Sequence, residues 1–206
     1  MYSFMVEVIL VTMSGALSPG PLTIATLRRG LDEGWVAGFK ASLGHMIFEF
    51  PLVFALAFGV FQVFNLSLFR VVAGLVGGAI LAIYGYLQLS SQVNGSRGRV
   101  VGGSAFWIGF TLTAFNPYFI VWWLTVGLKL IVDALAIASM TGVVVMYFAH
   151  VWMDYVWLML VSYLAGKGRS FLNDRSARML NIVLAVVMFF FAFRFIAESL
   201  TTLFWR

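Results

Sequence analysis

Six apolar runs, each long enough to cross a bilayer as a helix, occupy most of this chain. They are roughly Phe4–Leu27, Gly38–Phe61, Leu68–Leu89, Ser104–Leu128, Ser139–Ala165 and Met179–Phe204. The chain has 206 residues, 62% of them hydrophobic and only 10% charged. A soluble domain carries about 25% charged residues, so a water-soluble fold could not cover this much apolar surface. The expected fold is an all-α integral membrane protein of six transmembrane helices. The net charge of +5 does not point to nucleic acid, because the basic residues sit in short loops between the runs. There is no cysteine, which excludes disulfides, a CxxC redox pair and a thiolate metal site. No Lys or Arg precedes Arg28, so the first run lacks the basic flank of a signal peptide and is expected to be a retained span. Between the fourth and fifth runs, Lys129–Ala138 reads as a short amphipathic connector containing Asp133.

The loops are charged asymmetrically. Arg28, Arg29, Lys40, Arg97, Arg99, Lys167, Arg169, Arg175 and Arg178 fall on one side of a six-span arrangement. Arg70, Lys129 and Arg206 fall on the other, and Arg194 lies within the sixth run. Basic residues accumulate in cytoplasmic loops, so both termini are expected outside the cytoplasm.

The two histidines of the chain, His45 and His150, are each followed four residues later by a carboxylate, Glu49 and Asp154. On a helix that spacing places both groups on one face. Both pairs lie deep in apolar runs, where a charged group is costly and usually faces a pathway or cavity. Histidine titrates near neutrality, so each pair is a candidate proton relay or cation site. A structural clip between helices is the alternative.

The pairs occupy the second and fifth runs, and each is preceded by a proline-containing break. The first run contains Ser18-Pro19-Gly20-Pro21 and the fourth contains Asn116-Pro117. The order of these marks predicts a 3+3 inverted repeat, because an odd number of spans makes the second half enter from the opposite side. One membrane domain, 1–206, would comprise a first three-helix repeat, 1–95, and a second, 100–206. Matched broken helices are a feature of many secondary transporters. Serine and asparagine are favoured N-caps and proline favours the following position, so each break reads as the start of a half-helix. Helix N-termini carry partial positive charge, and two aimed at the centre could receive an anion. Simple packing kinks are the alternative.

Other polar residues are weaker signals. Glu7 reads as interfacial. Arg194 and Glu198 share a helix face and should pair or snorkel, with a substrate-carboxylate role for Arg194 as the other option. Gly74 and Gly78 form a GxxxG suited to close helix contact. Trp122, Trp123, Trp152 and Trp157 could line a cavity, although packing is the default.

Several of these residues resemble the LysE/RhtB family of amino-acid exporters. Pro19-Gly20-Pro21 matches its PGP signature, followed here by Arg28-Arg29-Gly30, Gly34, Gly38, Gly44 and the acidic Glu49. Asn116-Pro117 resembles the family's Asn-Pro-Lys. Two positions depart from that pattern: Leu22 replaces a polar residue after PGP, and Tyr118 replaces the lysine. The resemblance implies a prokaryotic plasma membrane, export of small amino-acid-like solutes, and energy from an ion gradient, with protons as the coupling partner. It implies no cofactor, and a homodimer is the assembly to consider.

The site residues expected to contact solute or ion are therefore Ser18, Pro19, Gly20, Pro21, His45, Glu49, Asn116, Pro117, His150 and Asp154. The runner-up is a divalent metal transporter in which His45, Glu49, His150 and Asp154 form a mixed N/O site. An intramembrane hydrolase ranks last, since no HExxH and no serine–lysine pair occurs at suitable depth.

Overall fold

The computed structural model describes residues 2–17, 20–59, 67–90, 103–171 and 174–204, and these are helical apart from short connections. Helix α1 is Tyr2–Ala16, α2 is Pro21–Glu33, α3 is Trp35–Ala57 and α4 is Ser67–Ser90. The second half holds α5, Ala105–Ala114; α6, Pro117–Trp122; and α7, Leu128–Gly168. A π-helical turn, Trp123–Gly127, joins α6 to α7, a 3-10 turn, Arg169–Phe171, follows, and α8 is Asp174–Phe204.

Both expected breaks lie in the first and fourth apolar runs. Asn116 is the N-cap of α6 and Pro117 its first residue, as the sequence pattern predicts. In the first half the boundary differs. Helix α2 starts at Pro21 with Gly20 as its N-cap, not at Ser18-Pro19, and Ser18 and Pro19 lie outside the described residues. The second proline decides this. Pro21 fits the first helical position, and the residue before a proline is driven to the extended conformation that Gly20 adopts (φ −94°, ψ 179°).

Gly34 separates α2 from α3 with φ at 59°, a conformation glycine adopts without penalty. Within α7, Ala138 and Ser139 leave helical geometry, so residues 128–137 and 140–168 form two limbs. The expected connector at Lys129–Ala138 is therefore itself helical. It is tied at one end, where Lys129 Nζ lies 3.1 Å from Glu7 Oε1 and 2.5 Å from Asp133 Oδ2.

Helix α3 packs along α7 and α5, and α4 packs along α8. Small residues set these approaches. A Cβ at Gly44 would run into the Phe106 carbonyl, and one at Gly109 into the Ala41 carbonyl. Gly74 and Gly78 meet Ser199 and Ile196 of α8, which gives the GxxxG its expected close contact. One buried cluster joins Val8, Leu52, Val53, Trp123, Val143 and Met146; a second joins Ala25, Leu81, Ile108, Leu112, Met188 and Phe195.

Large apolar side chains also cover the exterior, among them Phe148, Val186, Phe190 and Phe193. A monomer in water rarely exposes so continuous an apolar surface, and lipid is the solvent that fits it. Among the described residues, Trp35–Ala57, Pro117–Gly168 and Ala185–Phe204 are long and apolar enough to cross a membrane. Shorter apolar helices cover Tyr2–Met13, Gly74–Tyr86 and Ala105–Ala114.

Candidate functional site

Helical periodicity places His45 and Glu49 one turn apart on α3, and His150 and Asp154 one turn apart on α7. Packing of α3 against α7 then brings all four side chains together. Gly38 makes the approach close: a Cβ there would collide with the Leu158 carbonyl and Ser162 Oγ. Ser162 Oγ instead accepts the Gly38 amide at 3.1 Å. Ser42 Oγ adds a bridge, lying 3.2 Å from the Asp154 carbonyl.

Glu49 is the hub and is 1% exposed. Its Oε1 lies 3.1 Å from His45 Nε2 and 3.2 Å from His150 Nε2, and it accepts the Trp123 Nε1 hydrogen at 3.1 Å. Its Oε2 has no hydrogen-bond partner among the described residues. The second pair is not the equal of the first. Asp154 Oδ2 is 3.6 Å from His150 Nε2 and 3.9 Å from His45 Nε2, beyond hydrogen-bond range, and is also without a partner. The spacing alone suggested two self-contained pairs. Instead His150 reaches across to Glu49, because interhelical packing offers it a nearer acceptor than its own turn.

Two threonines hold the other faces of the imidazoles. Thr12 Oγ1 of α1 lies 2.9 Å from His150 Nδ1, and Thr113 Oγ1 of α5 lies 2.8 Å from His45 Nδ1. Thr113 donates its single hydroxyl proton to the Gly109 carbonyl at 2.7 Å. At His45 it must therefore accept, so His45 Nδ1 carries hydrogen. The contact between His45 Nε2 and Glu49 Oε1 then needs one further proton, whether it rests on nitrogen or on oxygen. Trp122 and Trp123 flank the His150 ring, with centroids 5.7 and 5.0 Å away, and Phe119 meets His45 edge-on.

This cluster forms part of the wall of a cavity of about 470 Å³. Of the residues expected from sequence, Gly20, Pro21, His45, Glu49, Asn116, His150 and Asp154 line it. Pro117 does not; it opens α6 beside the cavity. The two half-helix starts differ from each other. Asn116 Oδ1 accepts the amides of Tyr118 at 3.0 Å and Phe119 at 3.4 Å, which satisfies the donors that an anion would need. At α2, Gly20 provides no side-chain cap.

Arg194 lines the same cavity. It pairs with Glu198, as the spacing predicts, and its guanidinium lies 5.8 Å from the centre of the Tyr118 ring. Tyr118 Oη donates to Glu198 Oε1 at 2.6 Å. Trp122 and Trp123 line the cavity, whereas Trp152 is exposed with its indole nitrogen bonded to the Ala149 carbonyl.

Sequence reasoning passed over Thr12 and Thr113. The available signal was a threonine a few residues before each proline break, at Thr12 and Thr113 in the two halves. As a metal site, His45, Glu49 and Asp154 offer ligand atoms within 4.8 Å of one another. His150 stands beside that set, its Nε2 3.2 Å from Glu49 Oε1 and 3.6 Å from Asp154 Oδ2.

The family model of the LysE type translocator matches residues 13–199. No curated protein and no solved structure matches the chain. The family match spans most of the sequence and gives the metal-transporter alternative no support. The chain belongs to the LysE type translocator family, a family of membrane transporters of the exporter type.

Proposed function

We propose that this LysE type translocator couples export of amino acids or related small solutes to proton uptake through the Glu49 cluster. One observation carries the proposal: both histidines of the chain converge on a single buried carboxylate oxygen that borders the cavity. A carboxylate so fully buried is held by partners, and here the partners include two imidazoles, side chains able to take up and release protons.

The chemistry follows from which atoms are occupied. Glu49 Oε1 is filled by its imidazole and indole donors, while Glu49 Oε2 and Asp154 Oδ2 are open. A solute ammonium at the open oxygens would share its counter-charge with the protons on His45 and His150. Cations crowded round one carboxylate in a low-dielectric setting repel strongly. Binding of the ammonium would therefore release a proton, and its departure would allow one to return. Alternating access between the two membrane faces turns that competition into solute leaving as protons come in.

The wider arrangement is part of the same proposal. The first helix of each half serves the histidine of the other: Thr12 meets His150 and Thr113 meets His45. This reciprocity supports an inverted 3+3 repeat, with halves near 1–95 and 100–206. The charge asymmetry of the loops supports both termini lying outside the cytoplasm of a prokaryotic cell.

Reconstituted vesicles provide the test. With an imposed pH gradient, Glu49→Gln should lose gradient-driven transport, and any exchange of labelled solute that persists should no longer respond to the gradient. Gradient-driven transport at the parental rate in this variant would remove Glu49 from the coupling step.

A further inference from the structure

The cavity lining holds one guanidinium and two carboxylates among apolar side chains, and that composition narrows the solute. We infer that it accepts a zwitterionic amino acid with a bulky apolar side chain, and that Arg194 binds the solute's α-carboxylate. This inference rests on the exporter proposal above and specifies its substrate class.

Arg194 is the lysine or arginine found among the described residues that line the cavity. Its Nε and Nη2 are engaged by Glu198, and Nη1 is not part of that pair. Tyr118 buttresses the assembly from below the guanidinium plane, donating to Glu198 and packing against the Phe195 ring at 5.3 Å. Glu198 and Tyr118 thus hold the guanidinium in place while leaving part of its fork available to a second carboxylate. A pre-positioned guanidinium loses less freedom on binding than a mobile one.

In the same lining, Glu49 Oε2 and Asp154 Oδ2 are buried acceptors without partners, suited to the α-ammonium. These two residues are the carboxylates found in the described lining. Both are engaged by the ammonium and the proton-bearing imidazoles, so none remains for a cationic side chain. A second carboxylate on the solute would have no second cation. The lining also includes Leu22, Phe119, Trp122, Leu158 and Phe191, with Thr23, Asn116 and Tyr118 as its uncharged polar members. A polar side chain would be stripped of water there with little to replace it. The volume of about 470 Å³ lies in the range of small-molecule sites and has room for a branched or aromatic side chain.

The test uses purified full-length protein and isothermal titration with L-phenylalanine, L-leucine, L-lysine, L-glutamate and 2-phenylethylamine, which lacks the carboxylate. Phenylalanine and leucine should bind, with lysine and glutamate at least tenfold weaker. Arg194→Gln should weaken phenylalanine about tenfold or more, to the level of phenylethylamine, while leaving phenylethylamine unchanged. Should Arg194→Gln fail to insert, Arg194→Lys carries the same comparison with a smaller loss, since lysine keeps the charge but not the planar fork. Phenylalanine binding that is indifferent to either substitution would overturn the role of Arg194. Lysine or glutamate bound and exported in preference to phenylalanine would overturn the substrate class and leave the exporter proposal standing. If the reconstituted parent neither binds nor moves any amino acid, both fall.

Discussion

Thr113 Oγ1 accepts the Nδ1 hydrogen of His45 at 2.8 Å because its own proton is committed to the Gly109 carbonyl. A backbone carbonyl of α5 thereby sets the tautomer of an imidazole on α3. The consequence falls on the other ring nitrogen, whose contact with Glu49 Oε1 at 3.1 Å requires one further proton between the two groups.

Thr113→Val tests that orientation. Valine keeps the shape but cannot accept from Nδ1, so the doubly protonated ring is less well held. Transport in vesicles should slow several-fold, and its pH profile should move toward lower pH. The loss of stability should be near 1 kcal/mol, the usual size for a buried hydrogen bond. An unchanged profile would mean that Thr113 is only a packing residue.

Trp123 is fully buried and donates to the same carboxylate oxygen as the two histidines. Trp123→Phe removes that donor while keeping an aromatic ring in the core. The thermal midpoint should fall, with a cost of about 1–3 kcal/mol for a hydrogen bond to a charged group plus some lost volume. Under the proposed coupling, export should be impaired more than solute binding, since the indole touches Glu49 Oε1 and not the two open oxygens.

Gly44 and Gly109 let α3 and α5 approach until each backbone lies against the other's carbonyls. Gly44→Ala and Gly109→Ala should each destabilise by about 1–3 kcal/mol through overpacking. The double variant should lose less than the sum, because the first methyl already forces the helices apart. Thermal unfolding in detergent measures all three. Full additivity would show that the two contacts relax independently.

The absence of cysteine makes topology easy to read, since every introduced thiol is the sole target. Tyr2→Cys should react with an impermeant maleimide in intact cells. Ser96→Cys, beside Arg97 and Arg99, should react only after permeabilisation. The opposite pattern would invert the proposed orientation.

Much of this protein was legible in the residues alone. The apolar runs, the break at Asn116-Pro117, the i,i+4 placement of His45 with Glu49 and of His150 with Asp154, and the Arg194–Glu198 pair all follow from local rules. Helix period and proline geometry act over a few residues, so sequence reports them directly. What the local pattern could not determine was which acceptor each histidine would choose. His150 lies 3.6 Å from Asp154 on its own helix but 3.2 Å from Glu49 on another. That choice depends on how closely α3 and α7 approach at Gly38. The partners Thr12, Thr113 and Trp123 were hidden for the same reason: they are distant in sequence from the groups they serve, and only packing brings them within reach. Local pattern was enough to place the two His/carboxylate pairs deep within apolar helices. That both histidines converge on one oxygen of Glu49 came only from the packing, because interhelical distance, unlike helical period, is a property of the whole assembly.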